Sequence, residues 1–232
     1  TLSMRGRHDL NDFESDTEPI DEPPGHDAII LFAVFFEGGL APLSLLLGWW
    51  LGHAPLSRFF WSATDALIGA AAAIPPVLLF LAMIRWPVGP FRGLKRFCEE
   101  EFVPLLANST WSDIALIAIS AGVGEEMLFR GVFQSALVDS TGWLPGLILA
   151  SLLFGLLHPI SILYATIGCA MGMYLGGLFL VSGNLLTAMT AHGMYDFLLM
   201  AYLLRIKDPD RPRENPIAAI DSDHEIDSYD HR

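Results

Sequence analysis

The chain has 232 residues, 53% of them hydrophobic, and a mean hydropathy of +0.46, too apolar for a soluble domain of this length and suited to a small helical membrane bundle. A net charge of −13 argues against a nucleic-acid partner, and two cysteines, Cys98 and Cys169, give no disulfide framework. The fold class expected is all-α: a polytopic transmembrane bundle over residues 28–206, flanked by acidic disordered tails over 1–27 and 207–232.

Residues 29–51 and 65–86 each form an apolar run long enough for a hydrocarbon core of about 30 Å. Both contain prolines, Pro42 in the first and Pro75-Pro76 in the second. Membrane helices tolerate proline where a neighbour satisfies the carbonyls it frees. Glu37 interrupts the first run without a partner in sequence and reads, with His53, Asp65 and the tail histidines, as a surface group. From Pro87 to Asn108, apolar Phe91, Leu94, Phe97 and Phe102 interleave with Arg92, Lys95, Arg96 and Glu99 to Glu101, the pattern of an amphipathic segment on the membrane surface.

Four further spans are expected at 111–138, 143–158, 160–181 and 184–204, with Gly142 and Gly183 as breakers and Pro159 ending the fourth helix. Six spans place both termini on one side together with Arg5, Arg7, Arg85, Arg92, Lys95, Arg96, Arg205, Lys207, Arg211 and Arg213, against Arg58 alone on the other. The positive-inside rule then makes both termini cytoplasmic in a multi-pass protein of the cell (inner) membrane.

The third expected span carries Glu125, Glu126 and Arg130 in apolar surroundings, where each ionised group costs at least about 2.5 kcal/mol. Glu126 and Arg130 are one turn apart and can form an ion pair; Glu125 sits about 100° around the helix, free for another role. A carboxylate tied to arginine is a weak base, so Glu125 is the candidate general base. Phe154 and His158 stand one turn apart at the end of the fourth span, and His192 and Asp196 share a face of the sixth. Gly122, Gly124, Gly131, Gly155, Gly168, Gly172, Gly176 and Gly177 would let these helices approach closely. Along straight helices, however, His158 falls near the cytoplasmic end of its span and His192 nearer the opposite face.

The blocks Glu125-Glu126-x-x-x-Arg130, Phe154-x-x-x-His158 and His192-x-x-x-Asp196, in that order on successive hydrophobic helices, resemble the motifs of the CPBP family, the membrane proteins related to CAAX prenyl protease 2 and to bacteriocin-processing and immunity proteins. The resemblance covers roughly residues 111–204. It implies an intramembrane endopeptidase hydrolysing a peptide bond of a membrane-associated, in some members prenylated, protein or peptide, with membrane lipid as its surroundings. Glu125 would activate water with help from His158, His192 and Asp196 would hold the oxyanion or the water, and Glu126 with Arg130 would be structural.

Family members are described both as metalloproteases and as glutamic proteases. Zinc, if used, would draw on His158, His192 and Glu125. The compact His-Glu-x-x-His motif of zinc peptidases is absent, which favours catalysis without a metal cofactor. Two other classes compete: a non-proteolytic immunity or scaffold protein, indifferent to the loss of Glu125, and a proton-coupled transporter, against which stands the absence of a visible internal repeat.

Overall fold

The computed structural model describes residues 25–206, and within them the regular structure is entirely helical. The expected tails lie outside the described residues except for 25–27, where His26 and Asp27 already belong to the first helix. Helix α1 is His26–Leu51, closed by Gly52 in the left-handed conformation at φ 74°, whose N–H reaches back to the last turn. Helix α2 is Ala63–Arg85. Its start is capped by the Ser62 hydroxyl, which accepts from the Asp65 N–H at 3.2 Å.

The proline pair inside α2 is accommodated as its chemistry requires. Pro76 has no N–H for the carbonyl of Ala72, and the Tyr174 hydroxyl donates to that oxygen instead, at 2.6 Å. Helix α3 begins as Phe91–Phe97, widens into a π-helical turn at Cys98–Phe102 and ends as Val103–Leu105. Leu94 and Cys98 are buried against Phe80, Ile84, Leu199 and Leu203, while Arg92 and Arg96 point outward, so the segment is amphipathic as its sequence predicts.

Helix α4 starts at a reciprocal capping box: Thr110 N–H donates to Asp113 Oδ2 at 2.7 Å and Asp113 N–H to Thr110 Oγ1 at 3.2 Å. It runs as Trp111–Glu126, loosens into π-helical turns over Met127–Gln134, and finishes as Ser135–Thr141. Helices α5, Trp143–Leu156, and α6, Ile162–Ser182, follow, joined by a turn that contains His158. Helix α7, Leu185–Ala201, continues into π-helical turns at Tyr202–Ile206.

All six expected spans are helical, but three described helices, α1, α2 and α6, are long and apolar enough by themselves to cross a membrane. α5 is the clearest departure. Its 14 residues extend about 21 Å, short of a hydrocarbon core. α4 loses length as a regular helix to its π-helical section and carries the buried charges; α7 has 17 residues.

The helices pack through small residues at close range. A side chain on Gly155 would meet Ala165 O at 2.5 Å and Cys169 N at 2.7 Å, which brings α5 and α6 nearly backbone to backbone. Gly122 does the same for α4 against Met189 O and Gly193 N of α7, each at 2.8 Å. Asn184, fully buried, fixes the start of α7 to the first half of the chain by donating to Phe60 O and to Asp65 Oδ2, both at 2.9 Å. Asp65 is therefore half-buried and structural, a correction to its reading as a plain surface group.

Candidate active site

The polar interior is built outward from Glu126 and Arg130, which are 0% and 1% exposed. Arg130 Nη1 lies 3.0 Å from Glu126 Oε1, an ion pair whose geometry falls short of a hydrogen bond. Arg130 Nη2 donates to Gly172 O at 3.4 Å, and the guanidinium stands over the Phe154 ring, 4.5 Å from its centroid. A cation removed from water thus gains a carboxylate, a carbonyl and an aromatic face at once.

The same Glu126 oxygen receives a hydrogen bond from His192 Nδ1 at 2.8 Å. Glu126 therefore bridges Arg130 on its own helix and His192 on α7, a link that spacing along one helix does not reveal. On its other side His192 Nε2 faces Asp196 Oδ2 at 3.4 Å, one turn along α7. Both imidazole nitrogens are occupied by carboxylates.

Glu125 has a different environment. It is 8% exposed, and its Oε2 is buried with no hydrogen-bond partner. Its side chain lines a cavity of about 310 Å³ that is also bordered by His158, His192, Asp196 and Phe154. His158 Nδ1 donates to Phe154 O at 2.7 Å; since a carbonyl can only accept, this places a proton on Nδ1.

Phe154 is the centre of the aromatic packing. Its ring lies 4.7 Å from His158, 6.2 Å from His192 and 4.8 Å from Phe129, centroid to centroid. The depth mismatch expected between His158 and His192 does not occur. Straight-helix counting carried the fourth span through residue 158; α5 ends at Leu156, so His158 lies beyond it in a turn beside the cavity.

Of the cavity-lining residues that were not among the candidates, Glu37, Tyr164 and Tyr195 bring a carboxyl and two phenol groups. Glu37 corrects its reading as a surface group, because its Oε2 is buried without a hydrogen-bond partner. Its backbone explains the placement. Glu37 O packs against Gly124, where any Cβ would collide with it, so α1 lies directly on α4 one residue from Glu125. Tyr195 follows from the register of α7, being next to Asp196; no motif singles out Tyr164. His53 stays outside the cavity and bonds Asp139 Oδ2 at 3.1 Å.

His158, His192 and Glu125, the expected zinc donors, share the cavity without forming a ligand set: among the described residues no three His, Cys, Asp or Glu side chains converge closely enough to hold one ion. Arranged in this way, the site offers a carboxylate with an unpartnered oxygen, an imidazole tied through Nδ1 to a carbonyl and an imidazole braced by two acids, facing one space. That suits proton transfer to and from a bound water.

No curated protein and no solved structure matches the chain. Residues 107–198 match the family model described as type II CAAX prenyl endopeptidase Rce1-like, which leaves α1, α2 and α3 outside the match. The segment that holds Glu125, His158, His192 and Asp196 is therefore similar to the type II CAAX prenyl endopeptidases, over less than half of the chain.

Proposed function

We propose that the protein hydrolyses a peptide bond of a membrane-associated substrate in the cavity beside Glu125, which serves as general base. The observation that carries this reading is the division of labour between adjacent acids: each has a buried Oε2 without a hydrogen-bond partner, but Glu126 is held through Oε1 by Arg130 and His192, whereas Glu125 alone of the two lines the cavity. Glu125 takes a proton from water, and the resulting hydroxide adds to the scissile carbonyl carbon as the C=O electron pair moves onto oxygen. His192 Nε2 donates to this oxyanion, exchanging its loose 3.4 Å contact with Asp196 for a shorter one. Collapse of the intermediate expels the amine, which receives the proton from Glu125, directly or through His158 Nε2.

Both termini lie on the cytoplasmic side of the inner membrane in this reading, supported by Arg85, Arg92, Lys95 and Arg96 flanking α2 and α3 while Arg58 stands alone on the opposite connection. Substrates of the CAAX type, carrying a prenyl group, come to this chain from that similarity.

The test is cleavage of membrane-tethered fluorogenic peptides, prenylated and unprenylated, by detergent-purified protein. Glu125→Gln is expected to lower kcat by about 10²–10⁴-fold while leaving thermal stability intact. Equal cleavage by wild type and Glu125→Gln would sink the mechanism. A chelator arm separates a metal-dependent reaction from one run by the protein's own groups.

A further inference from the structure

Resting on the endopeptidase reading, we infer that Glu37 is the anchor for a cationic side chain of the substrate, lysine or arginine, close to the scissile bond. Among the described residues three carboxyl side chains border the cavity, Glu37, Glu125 and Asp196, and no Lys or Arg lines it. Arg130, the buried arginine among the described residues, is committed to Glu126 and the Phe154 face, and Asp196 has His192. Glu125 and Glu37 are left, each with a buried oxygen that has no partner. The first is assigned to the water; the second has no function within the protein's own hydrogen bonding.

Glu37 is half-buried, and a carboxylate oxygen shut away from solvent without a partner is costly; in an otherwise apolar helix this calls for a partner that arrives with the ligand. The cavity wall suits a long basic side chain: Phe80, Leu94, Phe97 and Leu199 line it and can take the methylene stem of a lysine, whose ammonium then reaches a carboxylate. The contact of Glu37 O with Gly124 fixes the anchor beside the base, so a charge held there registers the peptide against Glu125. Glu37 lies outside residues 107–198, so this specificity would belong to the N-terminal half of the chain and not to the matched segment.

The experiment uses tethered peptides that differ by one residue, lysine, norleucine or glutamate, placed in turn at each position within three residues of the cleaved bond. Cleavage is read with wild type, Glu37→Gln and Glu37→Lys; binding of the same peptides is read with Glu125→Gln, which holds substrate without turning it over. At one position lysine should exceed norleucine at least about tenfold in kcat/KM and in affinity. Glu37→Gln should bring that ratio close to one, and Glu37→Lys should shift preference towards glutamate. Cleavage without any lysine preference in wild type overturns the inference and leaves the endopeptidase reading standing. Lysine-selective binding that depends on Glu37, in a protein that cuts no peptide, retains the anchor and overturns the endopeptidase reading. Selectivity that survives Glu37→Gln, or no binding and no cleavage at all, removes the anchor.

Discussion

The first two helices and the segment from α4 to α7 meet the membrane on different terms. Along α1 the buried residues are few, Ile30, Ser44 and Gly48, and Phe32, Phe35, Phe36, Trp49 and Trp50 all stand well exposed. α4 through its π-helical section is the reverse: Glu125 to Val132 is buried without interruption, charged groups included. One region offers apolar surface to lipid, whose hydrocarbon is as apolar as the side chains themselves. The other hides polar groups that lipid cannot accommodate, and those groups hold helices together through specific contacts. Stability and chemistry are thus concentrated in the same elements, and the outer helices contribute by shielding them, with Glu37 as the exception.

The contrast can be broken hardest at Arg130. Replacing it with Ala strips the cation from a fully buried carboxylate, and loss of one member of a buried pair costs about 3–5 kcal/mol. We expect a large drop in melting temperature in detergent together with loss of cleavage, since Glu126 also braces His192. Arg130→Ala protein that melts like wild type would show that the pair is not what secures this region.

A smaller effect is expected at the seam between the two regions. Gly124→Ala puts a methyl group into Glu37 O, so α1 must shift away from α4 at a cost of about 1–3 kcal/mol. Because Glu37 moves while Glu125 stays on α4, any lysine selectivity should fall more than turnover of neutral peptides. Equal losses on both substrates would mean that α1 supports the site as a whole and reads no charge.

Much of this interior was legible beforehand because its logic is local. The i, i+4 spacing of Glu126 and Arg130 pairs them and leaves Glu125 free, and the spacing of His192 and Asp196 sets them facing, all from helix geometry alone. The bond from His192 to Glu126 was not legible, because it depends on how α4 and α7 pack. Glu37 was missed for a related reason: α1 is apolar on every side, so no hydrophobic stripe tells which face turns inward. In water the apolar stripe marks the core; in a membrane that signal vanishes, and the close contact at Gly124 takes its place. Helix length was less legible than helix position: hydropathy registers apolar residues, and α5 ends at Leu156, two residues short of the span expected.

The gentlest test of the contrast sets a second glycine against Gly124. Gly39 lies on α1 two residues beyond Glu37, but a Cβ built there meets no atom within 4 Å. Alanine at this position removes backbone freedom from the unfolded chain and collides with nothing, so Gly39→Ala should be neutral or stabilising by no more than about 1 kcal/mol, with cleavage and its substrate preferences unchanged. The two substitutions add the same methyl group, one inside the seam and one on the exposed face of α1, and opposite signs in melting temperature would attribute the difference to packing between α1 and α4. If Gly39→Ala is as damaging as Gly124→Ala, the outer face of α1 is covered by something other than lipid, and the division between a lipid-facing helix and a packed interior no longer describes this part of the fold.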